Sequence, residues 1–279
     1  MKIAYLGPEG SFTQLATSHL FPKEELLPQA YILDCFKAVE DNLVEYAVVP
    51  LENSLEGTVS MTLDLLYDYE SIHVLGEIIL PISHHLMVHP DHDTFHKIYS
   101  HPQALAQTFN FRYKNYKDVP THDFNSTAAA AKKIAQSPHE NWAAIANKHA
   151  AKLYGLKILH ENIQDSDQNH TRFIIISKKH ESIDFSFVNP NPKSALFITL
   201  PIDHAGGLHQ VLSVFAWRQM NLSKIESRTL KTGLGRYFFY LNIEGEWNNP
   251  LFTNSLDELE AIGAKVRFLG HYKEYLIQN

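Results

Sequence analysis

Short apolar runs that break at Gly, Pro or Asn and pass at once into a capped helix recur along this chain, and that alternation constrains its fold more than any other feature. KIAYL (2–6) reads as a buried strand stopped by Gly7, Pro8 and Gly10. Ser11 then opens a helix to about Leu20, with Gln14 three places on, the spacing of a capping box. Asp34 is placed to cap a second helix through Leu43, YAVVP (46–50) is a strand ending at Pro50, and the loop LENSLEG leads to a helix over 58–69. Residues 72–89 are strand-rich, KIYS (97–100) is a strand, and HPQALAQTF passes from loop to helix. The alanine-rich stretch 125–136 predicts a helix, WAAIA (142–146) a strand, 147–154 a helix stopped by Gly155, and 157–160 and 172–177 two further strands. Strands interleaved with helices, with polar loops at the strand ends, predict an α/β layer.

The pattern pauses at 181–193 (ESIDFSFVNPNPK), which carries two prolines and no helical period and reads as a linker. It restarts as a strand at 194–202, a helix at 205–219, a strand at 222–230, a turn at KTGLG (231–235), a strand at 236–244, a helix at 255–262 capped by Ser255 with Glu258, and a strand at 265–272. That β-α-β-β-α-β order is the split-βαβ, ferredoxin-like module. A chain of 279 residues suits about two domains at roughly 150 residues each. With 44% hydrophobic residues it can bury a sizeable core, and a single cysteine, Cys35, allows no intrachain disulfide, which suits a reducing compartment. Lys and Arg number 24 against 31 Asp and Glu, so no basic stripe recommends a nucleic acid as partner. The apolar runs, such as VLGEIIL (74–80), are too short to span a bilayer, and MKIAYLGPEG lacks the apolar core of a secretory signal. A cytoplasmic protein with no membrane partner is expected.

Three segments share one design, in which a strand ends, a small polar turn follows and a helix begins: GPEGSFT (7–13), LENSLEGTV (51–59) and FNSTAAAA (124–131). A helix start presents unpaired N–H groups and partial positive charge, which suits a carboxylate or phosphate. Ser11, Thr13, Ser54, Thr58, Ser126 and Thr127 add hydroxyls. One such turn does no more than cap its helix; three on one α/β scaffold point to an anion-binding cleft. A fourth segment, NHTRF (169–173), sets a hydroxyl beside a guanidinium. As an alternating strand it aims Thr171 and Phe173 to one face and Arg172 to the other; as a loop entering a strand it lets both Thr171 and Arg172 reach the cleft. The plainer reading of Arg172 is a solvated arginine at a strand start. The histidines carry no HExxH or paired-cysteine spacing, so no metal is expected. Ser54 lacks the G-x-S-x-G elbow, and GPEG lacks the P-loop lysine. Glu9, Glu52 and Glu56 are candidate acids or bases, although isolated glutamates on turns are mostly solvated. What remains is a set of neutral donors and helix ends with no strong nucleophile.

In these segments the chain resembles the prephenate dehydratase family. YLGPEGSFT (5–13), PLENSLEGTV (50–59), SHPQALAQ (100–107), the NSTAAAA helix start (125–131), the AAIAN…AAKLYGL stretch (143–156) and NHTRF (169–173) look like that family's motifs and occur in its order. The tail looks like an ACT regulatory domain, with IESR (225–228) similar to its signature. The resemblance implies a two-lobed catalytic domain of the periplasmic-binding-protein type II kind over 1–180, with lobe one at 1–75 and 160–180 and lobe two at 76–159, then the linker and an ACT domain over 194–279.

It further implies an enzyme of phenylalanine biosynthesis that converts prephenate to phenylpyruvate, water and CO2 without cofactor or metal. Thr171 matches the catalytic segment and would donate to the leaving hydroxyl. Arg172 would pair with a substrate carboxylate; Ser11, Asn53, Ser54, Ser126 and Thr127 would bind carboxylate with the helix-start N–H groups; Phe173 would wall the ring. L-phenylalanine would bind at Gly206, Gly207 and Leu208 and at Glu226, Ser227 and Arg228, across a homodimer or a homotetramer built from dimers. Both tail motifs drift from the family pattern, GGLH standing for Gly-Ala-Leu-Val and ESRT for Glu-Ser-Arg-Pro, and Thr108 stands where the family often has cysteine. The rival readings are a non-catalytic two-lobed sensor, excluded if Thr171 serves a leaving group, and an arogenate dehydratase, which needs an acidic partner such as Glu52 or Glu56 facing the cleft.

Overall fold

The computed structural model describes residues 1–181, 183, 185, 191–200, 205–230, 237–246 and 250–277. In chain order the first elements are β1 (Lys2–Leu6), α1 (Phe12–Leu20), β2 (Glu25–Gln29), α2 (Ile32–Glu40), β3 (Tyr46–Asn53), β4 (Gly57–Thr58), α3 (Ser60–Asp68) and β5 (His73–Pro81). Then come β6 (His85–Val88), β7 (Lys97–Ser100), α4 (Pro102–Ala106), α5 (Phe109–Tyr116), β8 (Thr121–Asp123), α6 (Thr127–Ala135), β9 (Trp142–Ala146), α7 (Lys148–Tyr154), β10 (Lys157–His160) and β11 (His170–Ser177). The tail holds β12 (Asn191–Thr199), α8 (Gly207–Ala216), β13 (Leu222–Thr229), β14 (Tyr237–Glu244), α9 (Pro250–Ala261) and β15 (Lys265–Leu276).

The chain parts into two compact units. The first comprises Met1–Val59 and Ile79–Phe173 with Ile277; the second comprises Ser60–Ile78 and Ile174–Leu276. These cuts do not coincide with the expected boundary after residue 180, because α3 and the start of β5 pack with the tail strands. Arg267 shows why: it donates to the carbonyls of Tyr67 and Tyr69, each at 2.8 Å, and so closes the last turn of α3.

The first unit carries two sheets. One runs β3-β1-β2, with β1 parallel to both β2 and β3, and β4 folding back on β3. The other runs β10-β6-β9-β7-β8. Period-two alternation divides the second sheet's side chains cleanly. Met87, Ala144 and Ala146 face the small-residue faces of α6 and α7. Leu86, Val88, Ala143 and Ile145 face Ala104, Leu105 and Ile163 on the other side. The alanines of α6 let its backbone approach the strands closely.

In the second unit the tail strands run β13-β14-β12-β15, all antiparallel, with α8 and α9 packed on them through Val211, Val214, Phe215, Phe252 and Leu259. This is the ferredoxin-like order expected from the sequence. β12 begins at Asn191, three residues inside the expected linker, since Lys193 and Ser194 pair with both β14 and β15. The turn expected at 231–235 lies outside the described residues.

Two expected caps are corrected. α2 starts at Ile32 with Tyr31 at its N-cap, which leaves Asp34 in the first turn, where its charge complements the helix dipole. α9 starts at Pro250, a residue preorganised for a first turn, so Ser255 is buried inside the helix and its hydroxyl donates to the Phe252 carbonyl at 2.6 Å. The strand β2 and the helix α5 were not anticipated. β2 (ELLPQ) is an edge strand containing a proline, and no residue of α5 (FNFRYKNY) is buried, so neither shows the usual apolar period.

Candidate active site

Within the first unit the three strand–turn–helix segments surround a cavity of about 520 Å³. Ser11 caps α1, accepting from the Gln14 N–H at 3.1 Å, and Ser126 caps α6, accepting from the Ala129 N–H at 3.0 Å. The turn before α1 is held from the other sheet. Asn147, itself the N-cap of α7, donates to the Gly10 carbonyl at 2.8 Å, and Tyr154 donates to the Glu9 carbonyl at 2.7 Å. Gly10 has φ +81°, and a Cβ there would lie 3.2 Å from Tyr154 and 3.3 Å from Ala150, so both backbone and space demand glycine.

The floor is a string of amides. Asn53 Nδ2 lies 2.9 Å from Thr171 Oγ1 and 2.8 Å from Asn169 Oδ1. Asn169 Nδ2 lies 2.8 Å from Gln107 Oε1, and His84 Nε2 lies 2.9 Å from the same oxygen. The direction of these bonds is set by the backbone. The N–H groups of Leu55 and Glu56 both donate to Asn53 Oδ1, at 3.0 and 3.1 Å, so the Asn53 amide cannot be reversed. Its NH2 is therefore the donor to Thr171, and the threonine's own proton remains free to point into the cavity. Gln107 Nε2 is buried with no hydrogen-bond partner among the described residues. Burial holds the His84 ring below the usual histidine range, against the opposing pull of Gln107, and keeps it neutral.

The lining includes Ser11, Thr13, Asn53, Gln107, Asn125, Ser126, Thr127, Asn169, Thr171 and Phe173, with His84 and His101, and among the described residues it contains no Asp, Glu, Lys or Arg. Thr171, Phe173, Asn53, Ser126, Thr127 and Ser11 thus share one hollow. Two expected members do not. Ser54 donates to the Gln168 carbonyl at 2.8 Å and accepts from the His170 N–H at 2.9 Å, clamping the entry to β11 instead of facing the cavity. Arg172 sits on the opposite face of β11, with Nη1 3.7 Å from Glu52 Oε2. The strand register already begins at His170, so alternation decides and the guanidinium cannot follow Thr171. Glu52 and Glu56 are absent from the lining as well. Gln107, Asn169 and His84 were not anticipated as site residues. Their sequence signal is weak, because a polar side chain at a strand or helix end is usually solvated.

In the tail, Gly206 (φ +88°) is the N-cap of α8 and Gly207 its first residue, with Leu208 partly exposed beside it. Glu226 lies 3.8 Å from Lys224. Ser227 lies between Glu226 and Arg228 on β13. Arg228 grips Asp64 Oδ1 through Nε and Nη2, at 3.1 and 2.8 Å, and donates to Ser60 Oγ at 2.9 Å.

Fold and cavity together define a two-lobed α/β enzyme with a cavity lined by uncharged hydrogen-bonding side chains. The chain belongs to the prephenate dehydratase family, whose model matches residues 3–181. It is 45% identical over 284 residues to the prephenate dehydratase of Bacillus subtilis, covering 99% of each chain. Among solved structures, the prephenate dehydratase of Arthrobacter aurescens in complex with L-Phe superposes with TM-score 0.85 and 30% identity, over 98% of this chain and 89% of that one. A structure described as a novel type of quorum-quenching acylase, GqqA, also superposes with TM-score 0.85, at 27% identity over 98% of each chain. The activity of the family is that of a hydro-lyase in aromatic amino-acid biosynthesis.

Proposed function

We propose that the cavity binds prephenate and that Thr171 assists departure of its ring hydroxyl. The C–C bond to the ring carboxylate breaks, its electron pair moves through the diene, and the C4–O bond breaks as the ring becomes aromatic, releasing CO2 and a hydroxide that ends as water. The observation that carries the reading is the Asn53-to-Thr171 hydrogen bond. It uses the threonine's oxygen as acceptor, leaves its proton for the leaving group, and stabilises negative charge developing on that oxygen. The proton that completes the water comes from solvent; Thr171 acts as a hydrogen-bond donor throughout.

The neutral lining suits this chemistry. An arginine clamped on the ring carboxylate would stabilise the ground state more than a transition state in which that charge disperses into CO2. Ser126 and Thr127, with the start of α6, orient the dianion through weaker donors, Asn53 acts on it only through Thr171, and Phe173 walls the ring. The hydroxyls of Ser11 and Ser126 each accept a backbone N–H as helix caps. The ammonium group of arogenate would meet no carboxylate among the described lining residues, which favours prephenate.

The reading keeps 1–180 as the catalytic part and 194–279 as an ACT module that binds L-phenylalanine near Gly206–Leu208 and Glu226–Ser227, in a cytoplasmic homodimer or homotetramer. β13 lies at the end of the sheet order and exposes Ile225, a strand that can pair across a dimer. Arg228 acts as a strut to α3. The test is incubation of the purified protein with prephenate, following phenylpyruvate absorbance with and without phenylalanine. Thr171→Ala is expected to lose about 10²–10³ in turnover with the fold intact; near-normal turnover refutes the role of Thr171.

A further inference from the structure

We infer that His84 is a positioning residue that acts through Gln107: as the Nε2-protonated ring it donates to Gln107 Oε1 and so holds that amide with its NH2 turned toward the substrate. The inference rests on the reading of the cavity as the prephenate site.

The direction of the amide string leads to this tautomer. With Asn53 oriented by two backbone N–H groups, Asn169 Oδ1 accepts from Asn53, and Asn169 Nδ2 must donate to Gln107 Oε1. Gln107 Oε1 is then an acceptor toward both its neighbours, and the ring nitrogen 2.9 Å from it must carry a proton. The ring has little freedom to do otherwise. Its own residue is pinned by the His84 N–H donating to Gln164 Oε1 at 3.0 Å and by the Ile163 N–H donating to the His84 carbonyl at 2.9 Å. Phe12 packs on the ring edge-on, with centroids 5.8 Å apart.

The arrangement leaves two buried polar atoms without partners among the described residues, Gln107 Nε2 and His84 Nδ1. A buried amide donor without a partner is costly, and a primary amide can turn over to exchange its oxygen and nitrogen. Two donors converging on Gln107 Oε1, from His84 and Asn169, oppose that turn. The idle NH2 is satisfied when an oxygen of the substrate arrives, so His84 maintains a donor that only the ligand completes.

The test has a spectroscopic and a kinetic arm. In the unmutated protein labelled with 15N-histidine, the His84 ring is expected as the Nε2–H tautomer, and an Nδ1–H tautomer overturns the inference. In prephenate turnover, His84→Phe is expected to lower kcat/KM by about 10–100-fold, the range for partners that orient a functional group. It should divide that loss between kcat and KM as Gln107→Leu does, and His84→Gln, which keeps an N–H donor, should recover part of it. In the Gln107→Leu background His84→Phe should add little, because its partner is already gone. Losses that multiply, or a His84→Phe enzyme as active as wild type, overturn the role of His84 while leaving the cavity's assignment standing. A wild-type protein inert toward prephenate overturns that assignment and this inference with it.

Discussion

Both units bury polar side chains, but they do so in opposite ways. In the first unit the buried polarity is uncharged and directional: a string of amides from Asn53 to Gln107 that ends in an idle donor beside a cavity. In the second it is ionic. Lys193, with a side chain only 3% exposed, sits between Glu77 at 3.3 Å and Glu274, and Tyr272 donates to the other Glu77 oxygen at 3.3 Å. The ionic cluster pairs its charges across neighbouring strands. The amide string leaves a donor over, which is what a ligand site requires.

Four substitutions break or sharpen this contrast. The largest effect is expected from Lys193→Met, which strips the cation from two buried carboxylates and should cost about 3–5 kcal/mol of stability in thermal or urea unfolding. A negligible shift would show that the cluster contributes nothing to the second unit. Thr171→Ala follows, at about 2.7–4 kcal/mol in transition-state stabilisation read from turnover, with unfolding unchanged. A stability loss of that size without a turnover loss would reverse the roles assigned to the two networks. Ser54→Ala removes both hydrogen bonds that clamp the entry to β11 and should cost roughly 1–2 kcal/mol, shared between unfolding and turnover. Arg228→Ala, cutting a partly exposed fork to Asp64, should cost about 1 kcal/mol or less in unfolding and leave phenylalanine binding measurable by calorimetry. Abolished binding would return Arg228 to the ligand.

Much of the first unit was legible residue by residue. Ser11, Ser126 and Asn147 declare their helices because a cap bond closes within three residues, and Gly155 ends α7 in the left-handed conformation that glycine favours. The ferredoxin-like order of the tail was equally plain, since its elements alternate in a sequence few other modules share. Ser255 misled because a capping-box spacing also occurs inside helices, where the hydroxyl bonds back to the preceding turn.

From its sequence alone this chain declared local matters: where strands stop, which residues open helices, that Thr171 and Phe173 share a face if the strand holds its period, and which family its motifs resemble. Only the tertiary structure decided that Arg172 turns to Glu52, that Ser54 serves the backbone of 168–170, that Arg228 is engaged by Asp64, and that Gln107, Asn169 and His84 join Asn53. The reason is range. A cap or a period is settled over a few residues, whereas the partner of a side chain is chosen among groups brought close by the fold, such as Asn53 and Thr171, 118 residues apart in the chain.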